Sequence, residues 1–221
     1  MESVLLTRQK STFDRKLAEA FAREGYKVFA IGTGAEAVTA AGATSLPEDL
    51  AQAVEIVEKE AGKLDIYVEL SDERSVADHF TVRDGLDEAV IRGLYEENVL
   101  RPMATLEAFI NLLDAGDKKR LCFIASTEAS INEARGIDGY GYALGKAAMS
   151  NFYQMISNKL APSGYTFRVY DPMRMVIAPE AAAEGAFNYF TRRRGTEGEN
   201  ILRDDENRLV FRDALAREHA W

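Results

Sequence analysis

The stretch that decides the fold is residues 4–31, VLLTRQKSTFDRKLAEAFAREGYKVFAI. It begins with a short apolar segment and ends with a second one, Lys27–Ile31, and both have the composition of buried strands. Between them, Phe13, Leu17 and Phe21 recur every four residues and therefore share one face of a helix. A strand, a helix and a strand in this order predict a βαβ unit with two parallel strands.

The same alternation of strand and helix patterns continues along the chain. Further strands are predicted at residues 65–70, 120–125, 166–170 and, after a charged loop at 195–207, at 208–212, with helices after Pro47 and at 87–114 and 140–161. Few residues separate Ile31 from Pro47, so the third strand and its helix must be short. The alternation predicts an α/β fold with a doubly wound parallel sheet, a Rossmann-like three-layer αβα arrangement. Residues 1–221 are expected to form a single domain.

The composition argues against several classes of function. The net charge of −9 and the pI near 4.9 oppose nucleic-acid binding, which requires clustered lysine and arginine. No apolar run approaches the ~20 residues of a membrane span, and no signal-peptide core follows the N-terminus, so a cytoplasmic protein is expected. Cys122 is the only cysteine and is expected in the core. His79 and His219 have no ligands at metal-binding spacing, so no metal site is expected.

Tyr142 and Lys146 lie one helical turn apart in the run GYGYALGK at residues 139–146. On a helix this spacing puts a phenol beside an ammonium group, and the positive charge is expected to lower the phenol pKa from its reference value near ~10. Such a pair can act as a general acid or base. The spacing alone arises easily by chance, so its interpretation depends on the residues around it.

Other polar residues fall where this fold binds its ligands. In open α/β sheets, ligands lie beyond the carboxyl ends of the strands. Ser126 and Thr127 follow a predicted strand, and Tyr142 lies in the first turns of the next helix. Asn98 lies inside the preceding helix, where a side-chain amide can interrupt the helix and bind a water or a lysine. These residues predict an acid/base site at the carboxyl edge of the sheet.

With these residues in this order, the chain resembles the short-chain dehydrogenase/reductase family over nearly its whole length. The matching positions are Asn98, Ser126, Tyr142 and Lys146, with Leu64-Asp65 and Asp171-Pro172 in support. The resemblance implies that Tyr142 is the general acid/base and that Ser126 orients the substrate carbonyl. It further implies that Lys146 lowers the tyrosine pKa and holds the nicotinamide ribose, and that Asn98 supports a proton relay. Because the stretch between the serine and the tyrosine is longer than is common, Thr127 or Ser130 are alternatives for the hydroxyl.

The first loop departs from the family. There, glycines at fixed spacing let the backbone approach the dinucleotide pyrophosphate at a helix N-terminus. In this chain Arg8, Thr12 and Asp14 stand in the places of those glycines. The resemblance assigns Thr7, Arg8, Lys10 and Thr12 to the cofactor, together with Lys146. Because no acidic residue follows the second strand and Arg8 and Lys10 could meet a 2′-phosphate, NADP is favoured over NAD, with no dinucleotide as the alternative.

Three functions follow from this mixture of matches and departures. The first is an NAD(P)-dependent oxidoreductase that acts on a small carbonyl or alcohol, with Tyr142 as proton donor. The second is a protein of this fold that has lost dinucleotide binding and has a binding or regulatory role. The third is a non-redox lyase similar to the halohydrin dehalogenases, although Lys146 stands where those enzymes have arginine.

Family members usually form homodimers or homotetramers through the helices at residues 87–114 and 140–161. The resemblance therefore implies a homo-oligomer. Phe109, Leu113, Phe152 and Met155 are apolar candidates for the contact, although residues that face the core have the same spacing.

Overall fold

The computed structural model describes residues 1–32, 34–173, 176–192, 209 and 211–220, and the strands among them form one sheet. In chain order they are β1 (Ser3–Thr7), β2 (Lys27–Ile31), β3 (Thr44–Leu46), β4 (Ile66–Glu69), β5 (Arg120–Ile124), β6 (Thr166–Asp171), β7 (Phe211–Asp213) and β8 (Glu218–His219). The spatial order in the described residues is β3-β2-β1-β4-β5-β6-β7-β8, and neighbouring strands are parallel except for β7 and β8. Strand order therefore reverses between β1 and β4, which places the ligand-binding crevice there.

Helices cover both faces of the sheet. They are α1 (Thr12–Arg23), α2 (Leu50–Ala61), α3 (Glu88–Tyr95), α4 (Arg101–Asp114), α5 (Tyr140–Leu160) and α6 (Pro179–Thr191). One buried apolar cluster contains residues of α1 and α6, and a second contains residues of α2, α4 and α5. The predicted three-layer αβα arrangement is therefore confirmed.

Most predicted elements agree with the structure to within a residue or two. The short third strand is β3, and a 3₁₀ helix, Ala35–Ala41, replaces a full helix before it. The helix predicted at 87–114 is α3 and α4 joined by a π-helical segment, Glu96–Leu100. The last strand was predicted at 208–212; β7 begins at Phe211, while Arg208, Val210 and the loop 195–207 lie outside the described residues.

Two elements were not predicted. Helix α6 buries mainly small side chains, among them Ala182, Ala183 and Ala186, so its apolar period is weak in the sequence. Strand β8 has only two residues. Two of the proposed oligomer contacts were also wrong, because Phe109 and Leu113 are fully buried in the core of the chain itself. Met155 is exposed.

The structure also bears on the remaining expectations from composition. Cys122 is buried in β5 with a free thiol, as predicted. In the described part of the chain, no helix is both long and apolar enough to cross a membrane. His219 lies between the carboxylates of Glu133 and Asp213, contacts that the sequence spacing does not reveal.

Candidate active site

The start of helix α5 fixes Tyr142 at the carboxyl edge of the sheet. Gly139 precedes the helix with φ 71°, a left-handed conformation that glycine adopts without strain. The Asp78 carboxylate accepts the backbone N–H groups of Gly141, at 3.0 Å, and of Tyr142, at 2.9 Å. Asp78 therefore caps the helix and holds the backbone of Tyr142 in place.

The Tyr142 hydroxyl is bound to a carboxylate that the sequence analysis did not identify. It donates a hydrogen bond to Asp72 Oδ1 at 2.5 Å and is also hydrogen-bonded to the Ser126 hydroxyl. The Tyr142 side chain is buried. Burial and then the Asp72 charge raise the pKa of Tyr142 above its ordinary value. The expectation of a lowered phenol pKa was therefore wrong.

Lys146 does not act on the phenol in the expected way, because its ammonium group is bound elsewhere. Its Nζ donates to the carbonyl oxygens of Ser71, at 2.8 Å, and Ile124, at 2.9 Å. It also lies 3.6 Å from Asp72 Oδ1. The same carboxylate oxygen thus contacts both the phenol and the ammonium group, and the Lys146 side chain is only 3% exposed.

Asn98 lies in the π-helical segment and is bonded to the loop after β4. Its Oδ1 accepts the backbone N–H of Glu73 at 2.8 Å, and its Nδ2 donates to the Glu73 carbonyl at 2.9 Å. A side-chain amide that satisfies both backbone groups of one residue fixes the path of the chain there. Since Glu73 follows Asp72 directly, Asn98 positions the loop that carries Asp72.

The three candidate hydroxyls have different surroundings. Ser126 bonds Tyr142, and its oxygen also accepts the N–H of Glu128 at 3.2 Å. Ser130, one of the alternatives, is buried and accepts the N–H of Glu133. Thr127 lines the neighbouring cavity. Among the three hydroxyls, the structure gives the contact with Tyr142 to Ser126.

A cavity of about 570 Å³ lies next to Tyr142 and Thr127. Arg74 lines it, with its guanidinium group 3.7 Å from the centre of the Tyr142 ring and 3.0 Å from a Glu128 carboxylate oxygen. The guanidinium group therefore makes a cation–π contact with the ring face. Other polar lining residues are Asp78, His79, Glu133, Arg135 and Asp138. The cavity is a polar pocket of a size suited to a small molecule.

A second carboxylate, Asp171, holds the Ser126 loop against β6. It accepts the N–H groups of Thr127, at 3.2 Å, and Met173, at 2.7 Å. Burial raises the pKa of Asp171, and the Asp72 charge acts in the same direction, while the two backbone hydrogen bonds oppose it. Asp171 was noted in the sequence, whereas Asp72 was not; its place just after β4, at the carboxyl edge of the sheet, is the one sequence signal that could have identified it.

Ion pairs of Arg8 hold the first loop, which joins β1 to α1. Its guanidinium group is 2.7 Å from Glu97 Oε2 and 3.1 Å from Glu73 Oε2, and Lys10 reaches the same Glu73 oxygen at 2.7 Å. The backbone of Arg8 has φ 46°, the left-handed region that favours glycine. Arg8 therefore has a backbone conformation that favours glycine, and its buried side chain joins the first loop to Glu73 and Glu97.

The N-terminus of α1 is occupied by the chain's own side chains. Ser11 Oγ accepts the N–H of Asp14 at 3.1 Å, and the Asp14 carboxylate accepts the N–H of Ser11 at 2.8 Å. This reciprocal pair is a capping box. Thr12 is exposed at the first position of the helix, and Thr7 Oγ1 donates to Glu69 at 2.8 Å. The amide groups of Ser11 and Asp14, at the helix end that would receive a phosphate, are thus already hydrogen-bonded to side chains. The negative charge of Asp14 also opposes a phosphate there.

We expect Ser11→Ala to lower the free energy of unfolding by about 1 kcal/mol, because one helix-end amide loses its partner. Urea denaturation monitored by circular dichroism measures the change. Ser150→Ala, within helix α5, is the matched control and should change stability by less than about 0.5 kcal/mol. If both variants lost the same free energy of unfolding, the capping box would make no specific contribution to stability.

These residues do not fit NAD(P) in the way the family holds it. The Arg8 side chain crosses the pyrophosphate path, Asp14 adds negative charge beside it, and the Asp72 carboxylate bonds both Tyr142 and Lys146, the groups that would meet the nicotinamide ribose. A cavity of about 260 Å³ remains at the other end of the crevice, with Arg8 and Arg101 among its lining.

Comparison with known proteins supports the fold. Neither the models of known families nor the curated protein sequences give a match. A carbonyl reductase from Pseudomonas aeruginosa PAO1, solved with NADP, matches over 100% of both chains at 19% identity and a TM-score of 0.77. A candidate short-chain dehydrogenase/reductase from Burkholderia multivorans, with bound NADP, matches over 100% of this chain and 99% of its own at 17% identity and a TM-score of 0.76.

A third solved structure, a candidate carbonyl reductase from Caenorhabditis elegans named Sniffer, matches over 100% of both chains at 14% identity and a TM-score of 0.76. At such low identities the agreement concerns the arrangement of the backbone. The chain therefore has the fold of the short-chain dehydrogenases and carbonyl reductases.

Proposed function

We propose that the chain is a divergent member of the short-chain dehydrogenase/reductase family that has lost dinucleotide binding. In this proposal it binds a small hydroxyl or carbonyl compound beside Tyr142 and moves a proton on the compound's oxygen. The observation that carries the proposal is the Asp72 carboxylate, which contacts both the Tyr142 hydroxyl and the Lys146 ammonium group. A ribose oxygen that accepted a hydrogen bond from Tyr142 or Lys146 would have to displace a partly buried, charge-assisted contact at this point.

The cavity beside Tyr142 supports a small-molecule ligand. Its polar lining, which includes Tyr142, offers hydrogen bonds. Without a hydride carrier, the reactions open to this centre are proton transfers, such as isomerisation, addition or elimination. The lyase similar to halohydrin dehalogenases belongs to this class. No contact favours it in particular, since Lys146 stands in place of their arginine and is bonded to two carbonyl oxygens.

The second candidate is an NADP-dependent oxidoreductase that acts on a carbonyl or alcohol. The observation in its favour is the cavity of about 260 Å³ at the ends of β1 to β4, where Arg8 and Arg101 could meet a phosphate. Two solved structures with the same fold contain NADP. In this chain, NADP would require Arg8 to leave Glu73 and Glu97, and Asp72 to leave Tyr142.

Fluorescence titration with NADPH and NADH separates the two candidates. We expect no saturable binding up to millimolar cofactor, because the Arg8 and Asp72 side chains fill the path. Saturable NADPH binding, followed by its consumption with a ketone or aldehyde, would replace the first candidate by the second.

Screening of small alcohols, ketones and hydroxy acids by thermal shift tests the ligand pocket. A ligand that raises the melting temperature of the wild-type chain should bind Tyr142→Phe about tenfold more weakly, since one hydrogen bond of about 1.4 kcal/mol is lost. Tyr140→Phe, two residues earlier, is the matched control and should bind normally. Equal affinity in wild type and Tyr142→Phe would argue against the proposed site.

A homodimer or homotetramer and a cytoplasmic location belong to the same proposal. Met155 on α5 is an exposed apolar side chain that could contribute to a subunit contact. The net charge of −9 supports a small molecule rather than a nucleic acid as the partner.

A further inference from the structure

The direction of one hydrogen bond restricts what the site can bind. A phenol has one O–H group, whereas an ionised carboxylate can only accept hydrogen bonds. The short contact between Tyr142 and Asp72 Oδ1, at 2.5 Å, therefore uses the single hydrogen of Tyr142. The Ser126 hydroxyl must then be the donor in its bond with Tyr142. With its hydrogen committed, the Tyr142 oxygen can only accept from a further partner in the cavity.

We infer that Asp72 is the proton acceptor of the site and that Tyr142 passes to it the proton of a ligand hydroxyl. This inference rests on the proposed function and specifies its ligand class: hydroxyl donors, such as alcohols and enols, rather than carbonyl acceptors. The ligand O–H bond breaks as an O–H bond forms on Tyr142 Oη, and the Tyr142 O–H bond breaks as one forms on Asp72 Oδ1. No electrons are transferred, and the ligand oxygen becomes an anion while Asp72 becomes neutral.

The charges around Asp72 are compatible with this transfer. Lys146 on α5 lies 3.6 Å from its Oδ1, and Arg74 on the same loop interacts with it electrostatically. Asp171 at the end of β6 adds a second negative charge, and Tyr142 and Tyr153 also interact with Asp72. Because the proton moves within the site, the net charge of this cluster does not change during the transfer.

The same geometry makes a prediction for an anionic ligand. An oxyanion that accepts a hydrogen bond from Tyr142 must compete with the Asp72 carboxylate for that bond. When Asp72 gains a proton, it loses its negative charge and no longer competes. Oxyanion binding should therefore take up a proton in the wild-type chain. Asp72→Asn removes the competing charge permanently, so its oxyanion affinity should be higher and independent of pH. A carboxylate that only supported the loop would predict the opposite, a weaker affinity after the substitution.

Calorimetry with 2,4-dinitrophenol, an acidic phenol that is ionised at neutral pH, tests the inference. In buffers of different ionisation enthalpy, the wild-type chain should take up about one proton per ligand at neutral pH, and its affinity for the ligand should fall as the pH rises. Asp72→Asn should take up none and bind at least about tenfold more tightly at about pH 8. Asp72→Glu should restore the uptake, and Glu107→Gln, which removes an exposed carboxylate of α4 away from the cavity, should leave it unchanged.

The outcomes separate this inference from the proposed function. Binding without proton uptake in the wild-type chain, or weaker binding by Asp72→Asn, would overturn the role of Asp72 and leave the pocket in place. Absence of binding by the wild type and by all three variants would remove the proposed oxygen-binding site and, with it, the role of Asp72.

Discussion

The double variant Arg8→Gly/Asp72→Gly should bind NADPH at least about tenfold more tightly than the wild-type chain, a gain of about 1.4 kcal/mol or more. Arg8 has φ 46°, so glycine fits the backbone there without strain and removes the side chain that crosses the pyrophosphate path. Asp72→Gly removes the carboxylate that occupies Tyr142 and Lys146. Both groups then become available to the nicotinamide ribose, and a negative charge disappears from the path of an anionic cofactor.

Fluorescence titration with NADPH measures the gain, and each single variant shows which obstruction matters more. Either side chain alone still blocks the crevice. We therefore expect the gain in NADPH binding free energy of the double variant to exceed the sum of the gains of the two single variants. Arg83→Gly/Asp117→Gly, which removes the same two charges from exposed loops, is the matched control and should bind no more tightly than the wild type. Saturable binding by the wild-type chain, or no gain in the double variant, would show that other residues determine cofactor binding.

The fold could be predicted from the sequence because its signals are local. Strands such as Lys27–Ile31 and helices such as Thr12–Arg23 carry their own apolar period, and alternation of the two leaves few arrangements. The positions of Asn98, Ser126 and Tyr142 followed from the same pattern. Helix α6 was missed because alanine gives little contrast between its faces.

The chemistry of the site was harder to predict, because it depends on contacts between distant segments. Asp72 and Tyr142 are 70 residues apart, and Arg8 and Glu97 are 89 apart. No local pattern signals such pairs. The sequence showed that Arg8 stands in place of a glycine, but the two carboxylates that bind it became evident only in the structure.

Two of the four matching residues, Asn98 and Lys146, are bonded to backbone groups of the chain. Asn98 is bonded to the Glu73 backbone and Lys146 to the carbonyls of Ser71 and Ile124. Both side chains hold the loop after β4 in the shape that presents Asp72 to Tyr142. The resemblance assigns Lys146 to a cofactor and Asn98 to a proton relay. Their contacts with the backbone give both residues a structural role in the site without either function.

Replacement of Lys146 by methionine should therefore lower the free energy of unfolding by about 3 kcal/mol or more. The Lys146 side chain is 3% exposed, and its loss leaves two carbonyl oxygens without their lysine donor and removes the cation that lies 3.6 Å from Asp72. Urea denaturation in the absence of any ligand measures the effect. A lysine that served only to bind a cofactor would predict little change or a gain in stability, because a buried charge would be removed.

A thermodynamic cycle with Asp72→Asn separates the two causes of this loss. If the unpaired Asp72 charge dominates, Lys146→Met/Asp72→Asn should recover about half of the stability lost by Lys146→Met alone. If the two carbonyl oxygens dominate, the double variant should be no more stable than the single one. Lys159→Met, in the last turn of the same helix, is the matched control and should change stability by less than about 0.5 kcal/mol. A Lys146→Met variant as stable as this control would show that Lys146 is free to serve a ligand, which would favour the NADP-dependent candidate.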